Sequence, residues 1–353
     1  MQEVRVAIVG MGIGRYNGRA LATNPRARVV ALCDLVQERM DEFAQELPDP
    51  VRYFNDYTQL CSDPEIDAIF VGTPNQLHVP VALEAIQNGK HVLVTKPLSD
   101  SVEAARTLVD AAEASGLVAM MSLSTRFADD VQYLGNLARA GEFGDLYYGR
   151  ARSVRRRGIP AWNLGFILPG GGAFRDMGVH VLDSAWWLLG MPQPVSVLGV
   201  AGAKFGPRGL GYLPDTIQPP QELAQLYAVD DYAGGLIRFE NGAALQVESF
   251  WASHQPTELQ IELFGSDAGA RLKPLTVYRT VQGVDQDTTV NIAHDNAKTW
   301  LAIANHFVEC ILDGVACQAP VRHGLIVQEM MEALLQSAAD GQEVRLDRVT
   351  QSA

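Results

Sequence analysis

The chain opens on a strand that runs straight into a glycine turn, Val4-Arg-Val-Ala-Ile-Val-Gly10-Met-Gly12-Ile13-Gly14. The next apolar run, Val29-Val-Ala-Leu-Cys33, ends at Asp34, 24 residues after Gly10. Strand, glycine turn, helix, strand and carboxylate are the parts of a dinucleotide-binding unit, and few other arrangements need them in this order. Gly10 permits the tight turn after the first strand. Gly12 leaves room for backbone N–H groups to approach a pyrophosphate, and the helix that follows turns its positive end toward that anion. Asp34 can accept from ribose hydroxyls, and a carboxylate there repels a 2′-phosphate, so NAD is expected ahead of NADP. A third glycine would fall at position 15; Arg15 stands there, and Gly14 comes one residue early. Arg15 can meet a phosphate or simply be solvated.

The first third alternates strand and helix. Helical spacing covers Val36–Leu47, Val79–Asn88 and Ser101–Ser115, with Ser99 or Asp100 as the expected N-cap of the last. Strand-like runs fall at Val51–Phe54, Asp67–Gly72, His91–Thr95 and Val118–Met121. This alternation predicts an α/β fold with a parallel sheet, in which ligands sit beyond the C-terminal strand ends. Gly10–Gly14, Asp34, Thr73–Asn75 and Lys96 then share one crevice. Near residue 124 the pattern changes. Strand-like runs at Leu146–Val154, Val195–Ala201, Gly234–Phe239, Ala243–Ala252 and Glu258–Phe264 lack regular helices between them. They predict an α+β domain on a large open, mostly antiparallel sheet. The expected division is 1–123, a Rossmann domain, and 124–353, a substrate-binding domain. Helices are expected at Asp129–Ala140, Phe174–Leu189, Thr299–Asp313 and Gly324–Ala339. Lys204–Pro220, rich in Pro and Gly, reads as an irregular or mobile loop.

Composition narrows the function classes. The 353 residues are 47% hydrophobic and 20% charged, with a net charge of -13, which argues against a general nucleic-acid surface. No apolar run reaches the length of a membrane helix. The first strand begins by Val4, so no signal peptide is expected. The four cysteines, Cys33, Cys61, Cys310 and Cys317, show no metal-type spacing. A cytoplasmic protein without a metal is the expectation.

Two short motifs carry the chemistry. Lys96-Pro97 follows a buried strand, where an ammonium can stabilise an alkoxide, or merely snorkel from the sheet edge. The second is Gly170-Gly-Gly172-Ala-Phe-Arg175-Asp176-Met-Gly-Val-His180-Val-Leu-Asp183. Asp176 and His180 are four apart and Asp183 three further, so all three are expected on one helix face. A His beside carboxylates can move a proton near neutral pH, or face solvent, or contribute to a metal site that lacks an evident third ligand. Arg155-Arg156-Arg157 can be a solvated charge run, or Arg155 and Arg157 can recognise an anionic substrate group. Trp162 can stack on a sugar ring or lie in the core.

These residues resemble a family. Gly72-Thr73-Pro74-Asn75-Gln-Leu-His78 with Gly89-Lys-His-Val-Leu-Val-Thr95-Lys96-Pro97, then Arg126-Phe127, Gly141-Glu-Phe-Gly144, Gly170–Asp176 and His180, are similar to the Gfo/Idh/MocA oxidoreductases over nearly the whole chain. The resemblance implies hydride transfer between a nicotinamide cofactor and a sugar, cyclitol or sugar derivative. It implies catalytic roles for Lys96, Asp176 and His180, and cofactor contacts from Gly10, Gly12, Ile13, Gly14, Asp34, Thr73, Pro74, Asn75, His78, Thr95, Lys96, Pro97 and Arg126. It also implies a homodimer or homotetramer built through the C-terminal sheet. Thr95 stands where the family commonly has Glu, and Asn17 where a His often sits. A non-catalytic nucleotide-binding sensor and an NAD-dependent glycosidase remain open alternatives.

Overall fold

The computed structural model describes residues 3–293 and 295–346. The chain divides into two compact units, Met1–Ala128 with Asp295–Gln328, and Asp129–His294 with Glu329–Ala353. The single boundary expected near residue 124 is therefore replaced by a division in which the chain returns to its first unit late. The returning helix Asn296–Asp313 buries Ile303, Ala304, Phe307 and Val308 in the same core as the N-terminal strands. The second crossing point falls inside the helix Val321–Asp340.

The first unit holds six strands, β1 (Val4–Val9), β2 (Ala27–Cys33), β3 (Arg52–Phe54), β4 (Ala68–Val71), β5 (His91–Thr95) and β6 (Ala119–Ser122). All are parallel, in the order β3-β2-β1-β4-β5-β6. This is the doubly wound order of dinucleotide-binding sheets, and its topological switch lies between β1 and β4. Strands buried on both faces read as continuous apolar runs, which explains why β4, Ala-Ile-Phe-Val, is wholly buried. The helix Val102–Ser115 is capped by Ser101, whose hydroxyl accepts from Ala104 N–H at 3.2 Å, rather than by Ser99 or Asp100.

The second unit is built on nine strands: β7 (Leu146–Val154), β9 (Pro194–Gly202), β11 (Tyr232–Phe239), β12 (Ala244–Phe250), β13 (Glu258–Gly265), β14 (Ala268–Arg271), β15 (Thr276–Val281), β16 (Val284–Thr289) and β17 (Val344–Arg345). Their order is β16-β15-β14-β13-β7-β12-β11-β9-β17, antiparallel except for the β7–β12 pair. Two short strands, β8 (Ile159–Ala161) and β10 (Tyr212–Thr216), pair beside it. The stretch Lys204–Pro220 is thus not wholly irregular, since it contains β10 and a 3₁₀ turn. Fully buried Asp231 organises its start, accepting backbone N–H groups from Lys204, Phe205 and Gly206 at 2.6–3.0 Å. Among the described residues no helix is long and apolar enough to cross a membrane.

Candidate active site

In the first unit the glycine turn is fixed by contacts from two sides. The Gly10 N–H donates to the Cys33 carbonyl at 2.8 Å, and Gly72 N–H donates to Val9 at 2.8 Å. Asp34, at the end of β2, accepts the Met11 N–H at 2.7 Å and the Val36 N–H at 3.0 Å, one on each oxygen. A carboxylate has about four acceptor sites, so capacity remains for ribose hydroxyls. The surroundings fit a dinucleotide. A side chain at Gly12 would meet nothing within 4 Å, so open space lies over the turn. The buried Thr73 hydroxyl, beside the same turn, has no hydrogen-bond partner. The helix Gly14–Thr23 starts there with no side-chain cap, its Arg15 and Tyr16 N–H groups turned back on the Gly12 and Ile13 carbonyls. Gly14 packs its backbone onto Ile8, which supplies the close helix–strand approach that a later glycine would otherwise provide. Arg15 reaches Glu42 at 3.1 Å, an ion pair that neither reading of this residue anticipated.

Pro74 is exposed and Asn75 half-buried at the switch point, and Thr95 lies buried at the end of β5. Lys96 is half-buried and its bond to Pro97 is cis. Two residues expected to touch the cofactor are enclosed. His78 has no exposed surface, and its Nε2 and Nδ1 face the carbonyls of Thr73 and Pro97, each at 2.7 Å. Burial holds its imidazolium pKa below the ordinary value. His78 therefore ties the Thr73 loop to the Lys96-Pro97 loop. Arg126 is also fully buried, and donates to the Gln318 carbonyl at 2.6 Å. Asn17 lies buried between the Ile13 carbonyl, to which it donates at 3.3 Å, and Ser122, from which it accepts at 3.2 Å.

In the second unit, the expected helix opens with a π-turn over Phe174–Gly178 and continues as an α-helix over Val179–Leu188. The Val179 N–H reaches the Phe174 carbonyl, five residues back. Such widened turns recur at functional sites because they re-aim side chains. Asp176 lies in the widened turn and His180 just beyond it; both are half-buried. Asp176 accepts from the Trp251 indole at 3.1 Å. Asp183 follows three residues after His180 in the same α-helix and is 1% exposed, so it lies deeper than the half-buried Asp176 and His180.

Around this turn the structure gathers residues that the sequence left apart. Gly172, at φ 109, sits where a side chain would strike the Asp230 carboxylate. Asp230 accepts the Phe174 N–H at 2.9 Å and so fixes the start of the turn. Trp162 is 51% exposed, stands edge-on to Phe166 at 5.1 Å, and Phe166 in turn meets Trp251 at 6.5 Å. Arg155 places a guanidinium nitrogen 3.1 Å from the Met177 sulfur, next to Asp176, whereas Arg156 and Arg157 are exposed. Trp251 and Asp230 carried no motif; an aromatic in a strand run and an acid before one have no distinguishing spacing.

Burial raises the Asp230 carboxyl to about 6. Its protonated form is favoured in the folded protein, so the folded state gains most below the ordinary carboxyl range and loses that gain as pH rises through about 6. Asp230→Asn keeps an oxygen for the Phe174 N–H without the charge. The difference in melting temperature between variant and wild type is expected to grow in favour of the variant from pH 5 to pH 8, by a few degrees. A difference independent of pH would contradict this account of the site.

Residues 4–123 match the oxidoreductase family with the NAD-binding Rossmann fold, and residues 131–271 match the GFO/IDH/MocA C-terminal domain. The chain is 30% identical to D-glucoside 3-dehydrogenase of Escherichia coli (strain K12) over 351 residues, 97% of each chain. It is 27% identical to scyllo-inositol 2-dehydrogenase (NAD(+)) of Bacillus subtilis (strain 168), covering 98% of this chain and 97% of the relative. Among solved structures, levoglucosan dehydrogenase in complex with NADH and levoglucosan aligns with a TM-score of 0.84 at 21% identity, over 98% of this chain and 100% of that one.

Proposed function

Because the chain belongs to the Gfo/Idh/MocA oxidoreductase family, we propose that it transfers a hydride between NAD and a secondary alcohol of a sugar, cyclitol or sugar derivative. The observation that carries this reading is the π-turn helix, which presents Asp176, held by Trp251, and His180 one turn on. The named activities of the glucoside and inositol dehydrogenases support the substrate class. Bound NAD would supply the hydride acceptor, or as NADH the donor.

Gly10, Gly12, Ile13, Gly14, Asp34, Thr73, Pro74 and Asn75 would hold the cofactor, with Thr95, Lys96 and Pro97 at the next strand end. His78 and Arg126 act as positioning residues behind that surface. His180 takes the hydroxyl proton from the alcohol as a general base, a role worth ~10²–10⁴-fold in rate. Lys96 stabilises the alkoxide that develops on the same oxygen. Asp176 accepts from a neighbouring substrate hydroxyl, its second oxygen being fixed by Trp251. Trp162 offers an exposed ring face for the sugar, and Arg155 and Arg157 a charge for any anionic group on it.

The test is the appearance of reduced-nicotinamide absorbance with NAD or NADP and a panel of polyols, aldoses, glycosides and uronates. A rise with NAD and one carbohydrate class is the expected result. Tight nucleotide binding with glycoside cleavage and no net NADH would replace this reading with a glycosidase, and binding with no turnover at all would favour a sensor. For Asp34→Ala we expect NAD affinity to fall at least tenfold while NADP affinity holds or rises, because the ribose diol loses its acceptor and a 2′-phosphate loses a repelling charge. Wild-type preference for NADP would refute the role given to Asp34.

The same reading makes the protein a cytoplasmic homo-oligomer. Its four cysteines are unpaired thiols. Leu198, Val200 and Leu236 are exposed on one face of the nine-stranded sheet, with Leu198 directly opposite Leu236. Light scattering would give a dimer or tetramer mass, and a monomer would exclude assembly through that face.

A further inference from the structure

The cysteines show no metal-type spacing in the sequence, yet the first unit brings two of them together with a histidine. The helix Asn296–Asp313 carries His306 and Cys310 four residues apart on one face. The helix stops at Gly314, in the left-handed conformation, and the chain turns back to deliver Cys317. The His306 ring nitrogen and the two sulfurs all lie within 4.8 Å of one another. Cys310 is 5% exposed, whereas Cys317 is partly open to solvent.

We propose that Cys310 and Cys317 form a redox-active thiol pair that a hydroperoxide closes reversibly to a disulfide. A metal site is the competing use of such a cluster, and the geometry argues against it. The His306 Nε2 already accepts the Gln318 N–H at 2.8 Å, with the Cys310 sulfur a further 3.5 Å away. The one lone pair of that nitrogen is thus committed to the backbone, which leaves two sulfurs as ligands. The thiol pair needs no such displacement. Donation from the Cys310 thiol holds Cys317 well below the ordinary thiol range, and the same bond with burial pushes Cys310 up. The partly exposed sulfur is therefore the nucleophile and the buried one the resolving thiol.

The chemistry closes without another reagent. The Cys317 sulfur attacks the peroxide oxygen, the O–O bond breaks, and an alcohol or water leaves with a proton, giving a sulfenic acid. The Cys310 sulfur then attacks the Cys317 sulfur, the S–O bond breaks, and water leaves with the Cys310 proton. Two thiols lose two electrons, and the peroxide gains them. The bond would tie the end of the helix to the segment Cys317–Pro320. That segment holds the last strand of the nucleotide-binding sheet, for the Ala319 carbonyl accepts the Met121 N–H at 2.8 Å and the Gln318 carbonyl accepts from Arg126.

Cys33 and Cys61 provide internal controls. Both are buried, and burial pushes each thiol up to about 12. The full-length protein would be treated with hydrogen peroxide at neutral pH, unfolded, alkylated and digested with trypsin. Residues 299–322 form one tryptic peptide with both reactive cysteines. We expect this peptide to lose about 2 Da and escape alkylation, while Cys33 and Cys61 are alkylated. Dithiothreitol should restore it. Cys310→Ser should instead leave a sulfenic acid on Cys317 that dimedone traps, and Cys317→Ser should leave Cys310 reduced. Four alkylatable thiols after peroxide would overturn the proposal. So would zinc bound at about one ion per chain in the purified protein and lost in Cys317→Ser, since that would make the cluster a metal site.

Discussion

His180→Ala is expected to lower kcat by ~10²–10⁴-fold with the cofactor affinity nearly unchanged. The argument rests on where the side chain stands. His180 is half-buried at the start of an α-helix whose preceding π-turn carries Asp176. A neutral imidazole there can take a hydroxyl proton at the moment negative charge would otherwise build on the oxygen, and alanine leaves that proton to water. The loss therefore belongs to the chemical step. Nucleotide binding is assigned to the glycine turn and Asp34, so titration of NADH should give the wild-type Kd. Loss of the base should also remove the acidic limb from the pH dependence of kcat/KM, a change that a merely structural role would not produce. Lys96→Ala is expected to fall by a comparable amount through loss of alkoxide stabilisation, with the acidic limb retained. Turnover within a few-fold of wild type in His180→Ala would remove this residue from the mechanism.

The nucleotide-binding sheet was legible because parallel strands buried on both faces leave a plain trace. β1, β2, β4 and β5 appear as short apolar runs, each followed by a turn signal or a helix. Other features were hidden for identifiable reasons. β16, Val-Asp-Gln-Asp-Thr-Thr, is exposed along its whole length, so no alternation marks it as a strand. The return of 296–328 to the first unit depends on contacts with strands nearly 300 residues earlier, which no local pattern reports. The Asp176–His180 spacing marked the helix, but helical periodicity assumed an α-helical turn throughout and could not report how deep Asp183 lies. The structure has a π-turn and a buried Asp183. His78 shows a different limit. Its motif sets it beside the Thr73 and Lys96-Pro97 segments, yet spacing cannot say whether an imidazole faces a ligand or, as here, two backbone carbonyls.

Gly10→Ala is the backbone substitution expected to do most damage. Gly10 has φ 89, in the region that alanine enters only with strain, at a cost of roughly 1–3 kcal/mol. The space is also closed. A Cβ at Gly10 would lie 2.5 Å from the Gly72 carbonyl oxygen, 2.7 Å from its carbon and 2.9 Å from the Thr73 nitrogen. These are backbone atoms, and no rotamer change can clear them. The turn after β1 would have to move away from the end of β4, at the topological switch where the Gly10 and Gly72 N–H groups hold the strand ends. Strain and displacement together should cost about 3 kcal/mol or more of stability. The damage is also aimed at function, because Met11 N–H and Asp34 are joined across the same turn, and moving one moves the other. A lower melting temperature and at least a tenfold weaker NADH affinity are therefore expected together. Gly12→Ala, with nothing within 4 Å of its Cβ, should leave stability near wild type while still obstructing the nucleotide. If both variants bound NADH as tightly as wild type, the cofactor would not lie over this turn, and the assignment of the site would have to be abandoned.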